Sequence, residues 1–479
     1  MKLLEPDVLE AQYATLSHCW GGHQGLTTTK ALLPSRKLHI AWNALPPTFQ
    51  DAVTVARKME IRYLWIDSLC IIQDDPEDWQ IESSKMAGIY RDSLLTIAAV
   101  SSPSSSRSFL MQRPQMAPRL YQLQAPDILE DGSQKFYIAI REGDLHSKIG
   151  PLNERAWVFQ EEKLSTRILY YAESELTFEC REWTCCECGM TAVDNRQKDP
   201  FKVVADPRAF TISGNAKSDP CTLWQGIITE YSQRSLTFSK DRLPALSGIA
   251  SVFGRLTQSP YLAGLWESHL ILDLLWRSGP KPPADISRGI TDQYRAPTFS
   301  WASIGRGVYY RDVTKWPGFR YDTSVVRASC TPQGLNPFGE VTAGFIEVKG
   351  PFAEVSLATR PGNSAGSYLL KSVEAFVELQ SDVPLVRDII KDASGIVKDT
   401  ARRTATGENV QTSFRTPAWC LSLLSSSNGA VNEVLVLGLS KTVPGAYERL
   451  GLIDSSVVQN KGKLYKLFSN ARMTTIKIV

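Results

Sequence analysis

The stretch that most limits what this chain can fold into runs from Tyr63 to Tyr90. It opens with Tyr-Leu-Trp-Ile, a short apolar run without polar alternation, which is the pattern of a strand covered on both faces. Asp67 and Ser68 follow at its carboxyl end, with Cys70 and Gln73 close behind. Asp75 then precedes Pro76, Glu77 and Asp78. A capping aspartate, a proline at the first helical position and acids in the first turn together start a helix. Trp79, Met86 and Tyr90 share one face of that helix, and Ile89 widens it. Glu82 lies beside this face, within reach of the carboxyl end of the strand. In open α/β sheets that crevice is where ligands bind.

The same alternation extends on both sides. Tyr13 to Trp20 reads as a first strand, ending in Gly21-Gly22, a turn that lets backbone approach a ligand or a neighbouring loop. Ser17, His18 and Cys19 at a strand end invite a nucleophile reading. The chain has only five histidines and none sits in a partner motif, so we read these three as core residues. Lys30 to Asn43 reads as a loop. Pro46-Pro47 opens a helix with Phe49, Ala52, Val53, Ala56 and Met59 at helical spacing. Leu94 to Val100 is a further buried strand, followed by a Ser-rich loop over 101–108. Strand, crossover helix and strand make a right-handed parallel βαβ unit, and the fold class is α/β.

Beyond this, Pro151 to Tyr171 sets Arg155, Gln160, Glu161 and Arg167 among apolar residues. Either arginine suits a phosphate, and either suits a structural acid. Cys180, Cys185, Cys186 and Cys188 cluster, and Cys185 with Cys188 makes one C-x-x-C. No second such pair and no histidine lies near, so no metal is expected. Asp194 to Ala216 reads as loop. Trp224 to Ser235, Leu243 to Phe253 and Ser259 to Trp276 read as helices, and 278–287 as a linker. Past Val341 short alternating or apolar runs predict an antiparallel β module, with a polar stretch over 382–407. The expected organisation is an α/β domain over 10–175, a helical or mixed extension over 176–340 and a β-rich module over 341–479. A length of 479 residues suits two or three domains. The net charge of +3 gives no support for a nucleic-acid partner or a polybasic membrane anchor. No apolar run is long enough to span a membrane and no signal peptide opens the chain. With nine scattered cysteines, reduced thiols and a cytoplasmic location are expected.

Three ordered blocks and two tail motifs carry a resemblance. Tyr13-Ala-Thr-Leu-Ser-His-Cys-Trp-Gly, Leu64-Trp-Ile-Asp-Ser-Leu-Cys-Ile-Ile-Gln-Asp-Asp with Met86-Ala-Gly-Ile-Tyr, and Arg155-Ala-Trp-Val-Phe-Gln-Glu with Leu164-Ser-Thr-Arg look like the fungal heterokaryon incompatibility (HET) domain. Tyr294-Arg-Ala-Pro-Thr-Phe-Ser-Trp-Ala-Ser and Gly445-Ala-Tyr-Glu-Arg-Leu-Gly resemble the tail that often follows it. Ala156 stands where the family often has Gly, and His18 where it often has Tyr. The chain starts close to the first motif, whereas such proteins often carry a longer N-terminal segment.

The resemblance implies self/non-self recognition and programmed cell death on fusion of unlike fungi. HET domains are also distantly similar to Toll/interleukin-receptor (TIR) domains, which implies a Rossmann-like or TIR-like parallel sheet with flanking helices. Several TIR proteins cleave NAD with a helix-borne glutamate. By that analogy Glu82 is the candidate catalytic residue and Asp67 holds a ribose hydroxyl. Arg155 or Arg167 neutralises the pyrophosphate, and the turn from Ser17 to Gly22, Gly21 included, offers backbone amides. NAD is then a substrate, no cofactor is required, and the partners are a second copy of the chain or an incompatibility partner protein. The competing expectations are a non-enzymatic self-association module and an enzyme or accessory protein of a biosynthetic gene cluster.

Overall fold

A computed structural model describes residues 1–5, 10–22, 25–111, 119–123, 136–140, 148–189, 192–194, 201, 219–279, 294–313, 318–359, 367–371, 376–391, 395–403, 414–426, 431–454 and 464–479. The chain divides into two compact units. One comprises Met1–Glu154 and Glu161–Pro207, the other Arg155–Gln160 and Arg208–Val479.

The first unit is built on β1 (Tyr13–Ser17), α1 (Leu33–Leu38), α2 (Pro47–Lys58), β2 (Tyr63–Trp65), α3 (Asp67–Cys70), α4 (Pro76–Asp92) and β3 (Leu95–Ala98). A hairpin pair follows, β4 (Arg119–Leu123) with β5 (Phe136–Ile140), then α5 (Ala156–Leu164), β6 (Arg167–Tyr171), β7 (Leu176–Cys180), β8 (Trp183–Cys186) and β9 (Ala192–Asp194). The main sheet has the order β2-β1-β3-β6-β7-β8-β9. β2, β1, β3 and β6 are parallel, and β6 to β9 continue antiparallel. The chain steps from β1 out to β2, then crosses back past β1 to β3. Right-handed crossovers place α2 and α4 on opposite faces of such a sheet. Ala14 and Leu16 of β1 accordingly pack with Phe49, Ala52, Val53 and Ala56 of α2 in one apolar core.

The local helix signals work as expected. Asp75 accepts hydrogen bonds from the amides of Glu77 (3.1 Å) and Asp78 (3.5 Å), closing the start of α4. β2 is the edge strand of the sheet and its three residues are half-buried. Leu64 packs against the core on the α2 side and Trp65 stands edge-on to Tyr90 of α4, so each face carries a cover. One reading needs correction. The loop expected over Lys30 to Asn43 contains α1, which has Pro34 in its first turn.

In the second unit, helices Pro220–Tyr231 and Ser247–Thr257 surround a buried aromatic cluster of Trp224, Trp266, Trp276 and Trp301. The helix expected over Ser259 to Trp276 is absent. Strands Tyr261–Leu262 and Leu265–Trp266 form a tight antiparallel pair, followed only by the short helix Leu270–Asp273. Between the strands Ala263 (φ 50°) and Gly264 (φ 100°) are left-handed, which no helix interior allows. A Cβ on Gly264 would lie 2.6 Å from the indole nitrogen of Trp301. An all-buried apolar run does not reveal its own period, so the sequence did not separate helix from hairpin.

The antiparallel module is present as a nine-stranded sheet. The strand Val341–Thr359 pairs with both Ser367–Lys371 and Arg415–Ser426, and the pairings through Val431–Leu439, Tyr447–Asp454 and Phe376–Ser381 close a ring. Its interior is filled by Val355, Leu357, Leu370, Leu379, Val436 and Leu450, among others. Within the polar stretch 382–407, Leu385–Lys391 and Val397–Arg403 form a hairpin. The loop expected over Asp194 to Ala216 lies outside the described residues apart from Asp194 and Phe201, and so does the linker expected over 278–287 beyond its first two positions.

Candidate functional site

The strand order turns about β1, so the loops after β1 and β3 diverge at their carboxyl ends and leave a crevice there. A cleft of about 520 Å³ occupies this place, walled by Trp20, Gly21 and Gly22 after β1, Leu45 to Pro47 at the start of α2, and Ser104 to Ser106 after β3. Gly21 makes the close approach possible. Its φ is +83°, and a Cβ there would fall 2.5 Å from Cβ of Ser104. Among the described residues the lining carries no ionisable side chain. Pro46 and Pro47 have no amide hydrogen, and the Thr48 amide already donates to the Ser105 carbonyl (3.2 Å). The helix start therefore offers this cleft little for an anion.

Beside the cleft, the residues after β1 reach two carboxylates. The Trp20 indole donates to Asp67 Oδ2 at 2.8 Å, while the Ser68 amide donates to Asp67 Oδ1 at 2.7 Å. His18, 3% exposed, stands edge-on to Phe49 with Nδ1 3.8 Å from Asp67 Oδ1. Ser17 is buried and donates to Glu161 Oε2 at 2.5 Å. Glu161 was visible in the sequence only as one polar group among several. Its position completes a hydroxyl-lined face: Thr15 to Thr96 (2.8 Å), Thr96 to Ser165 (2.6 Å), and Ser165 donating to the Glu161 carbonyl (2.6 Å). The signal was the spacing of Thr15 and Ser17 in β1, which puts both on the face opposite Leu16.

Glu82 rides on α4, one-fifth exposed, and accepts from Lys85 Nζ at 2.7 Å. It shares a neighbour with Asp67. Burial, with the negative charges of Asp67 and Glu82 adding to it, pushes the Cys70 thiol up to about 12. Both carboxylates thus act on one sulfur at the carboxyl end of β2.

The predicted site residues therefore divide. Ser17, Gly21, Asp67 and Glu82 all belong to the carboxyl-end side of the first unit. Arg167 is exposed at the amino end of β6. With Ser17, Ala98 and Tyr170 level across the sheet, Arg167 sits three residues away, about 10 Å along the strands. Arg155 belongs to the second unit, bridged to Ser235. Its motif neighbours are anchored there too: the Trp157 indole donates to Asp241 (3.1 Å) and Gln160 Oε1 accepts from the Gly248 amide (3.1 Å).

The family model described as heterokaryon incompatibility protein (HET) matches residues 13–161. The chain carries a HET domain. The match begins at the first residue of β1 and ends at Glu161, the residue that receives the Ser17 hydroxyl. No curated protein and no solved structure matches the chain. The HET domain thus takes in the cleft, the hydroxyl-lined face apart from Ser165, and Asp67, Cys70 and Glu82. It associates the chain with heterokaryon incompatibility. No helix among the described residues is long and apolar enough to cross a membrane.

Proposed function

We propose that this chain is a cytoplasmic incompatibility effector acting in non-self recognition and programmed cell death, and that its HET domain, a Rossmann-like or TIR-like sheet, cleaves NAD. The supporting observation is Asp67 at the carboxyl end of β2 holding Trp20, a wall of the cleft. In this reading the dinucleotide enters the crevice beside Gly21. The ribose C1′–nitrogen bond breaks, its electron pair neutralises the departing nicotinamide, and positive charge develops on the ribose. The Glu82 carboxylate stabilises that charge, and Asp67 orients a ribose hydroxyl. Water forms the new bond to C1′ and passes its proton to a carboxylate, giving nicotinamide and ADP-ribose. Ser17 holds Glu161 in this reading, and Arg167 neutralises a phosphate only on rearrangement.

The test is incubation of the protein, alone and in assembled form, with NAD, following nicotinamide by chromatography. Wild type is expected to release it, Glu82→Gln to lose about 100-fold or more, the scale of a removed acid–base or charge-stabilising group, and Asp67→Asn to lose activity while remaining folded. A fully active Glu82→Gln overturns the assignment.

A second reading has its own support. Glu82 is ion-paired with Lys85 and the described residues of the cleft lining are uncharged, which suits a signalling module that works by self-association or by binding an incompatibility partner. Wild type and Glu82→Gln both inert, with association retained, selects this reading. Turnover of a different small metabolite selects a biosynthetic role.

A further inference from the structure

The antiparallel extension of the first unit holds a group of side chains that the cleft does not use. Alternation along β7 and β8 sends Leu176 and Phe178 toward the apolar core. Thr177 faces the other way and stands opposite Cys186. The ladder runs one step past the strands, with the Glu187 amide donating to the Leu176 carbonyl at 2.8 Å. That step sets Glu175 across from Cys188, on the same face as Cys186. Glu175 and Cys186 are buried, and Cys188 is half-buried. The two sulfurs lie 3.0 Å apart, and both sulfurs and a Glu175 carboxylate oxygen fall within 4.8 Å of one another.

We propose that Glu175, Cys186 and Cys188 bind a zinc-class divalent cation, which clips the end of the β7–β8 hairpin to the turn after β8. Two thiolates and a carboxylate are a zinc donor set, and sulfur ligands select such cations over magnesium or calcium. Zinc–sulfur bonds of about 2.3 Å at tetrahedral angles separate two ligating sulfurs by about 3.8 Å. The pair opens by less than about 1 Å to accept the ion, a small rotation at each Cα–Cβ bond. The three ligands among the described residues leave one tetrahedral position for a further ligand or water. Binding displaces the two thiol protons to water, so uptake is tighter at higher pH. The C-x-x-C of the sequence is not the ligand pair. Cys185 is exposed and points to the opposite face from Cys186.

The experiment titrates the reduced full chain with Co²⁺ and then Zn²⁺. Wild type is expected to show a thiolate-to-cobalt charge-transfer band that Zn²⁺ abolishes. Cys185→Ser keeps the band, Cys186→Ser and Cys188→Ser lose it, and Glu175→Gln weakens affinity by at least about 10-fold, the scale of losing even an outer-shell partner. Absence of the band in reduced wild type overturns the site, whatever the variants do. So does its loss in a folded Cys185→Ser. A chain that forms a Cys186–Cys188 disulfide in air and takes up no cation after reduction overturns it as well.

Discussion

Arg449 shows how much a single side chain carries in the second unit. It is fully buried, stacks 3.4 Å from the ring centroid of Trp276, and donates to the carbonyls of Leu274 (2.6 Å) and Trp276 (2.5 Å) and to Asp382 (2.8 Å). It lies in the Gly445-to-Gly451 motif, and its amide donates to Thr298 of the other tail motif at 2.9 Å. Those motifs therefore serve to fasten the unit together. A guanidinium at this depth is tolerated only while its partners are present. Asp382→Ala is expected to cost about 3–5 kcal/mol by leaving Arg449 charged and buried, read as a lowered urea midpoint. The motifs were legible as sequence, but their use was not: Arg449 meets partners 67 to 175 positions away in the chain.

Elements were legible where their signals are local. The start of α4 needs only Asp75, Pro76 and the next two residues, and the start of α2 only its prolines. The edge position of β2 and the hairpin replacing the 259–276 helix were not legible, because each depends on what packs against it. The loop after β1 combines both cases. Gly21-Gly22 announces a turn, while the need for glycine at the first position comes from Ser104 across the cleft. Gly21→Ala is expected to destabilise the first unit by about 1–3 kcal/mol through its left-handed backbone and the clash. Thermal unfolding should show the loss, with the cleft displaced alongside.

At the scale of the whole molecule the modest net charge of +3 hides a directional dependence on pH. Asp273 is fully buried among Cys221, Gln225 and the Trp266 amide. Burial raises its carboxyl from 3.8 to about 7, and burial likewise raises Asp241 to about 6. A carboxyl raised in the folded state stays protonated there after its unfolded counterpart has ionised. Its stabilising contribution is complete below 3.8 and is lost as pH rises through about 7. Urea midpoints measured across that window should fall with rising pH in wild type and fall less steeply in Asp273→Asn, which keeps the shape without the proton.

The sequence by itself determined the helix starts, the strand–helix alternation, the change of texture toward the β module and the kinship of residues 13–161 to HET domains. Each of these is written in residues a turn or two apart, or in ordered blocks. Tertiary structure alone decided that Ser17 bonds Glu161, that Asp67 holds Trp20, that Arg167 stands at the far end of the strands, and that Glu175 joins Cys186 and Cys188. Strand order and the two-residue alternation of faces choose those neighbours, and both are fixed only when distant segments pair.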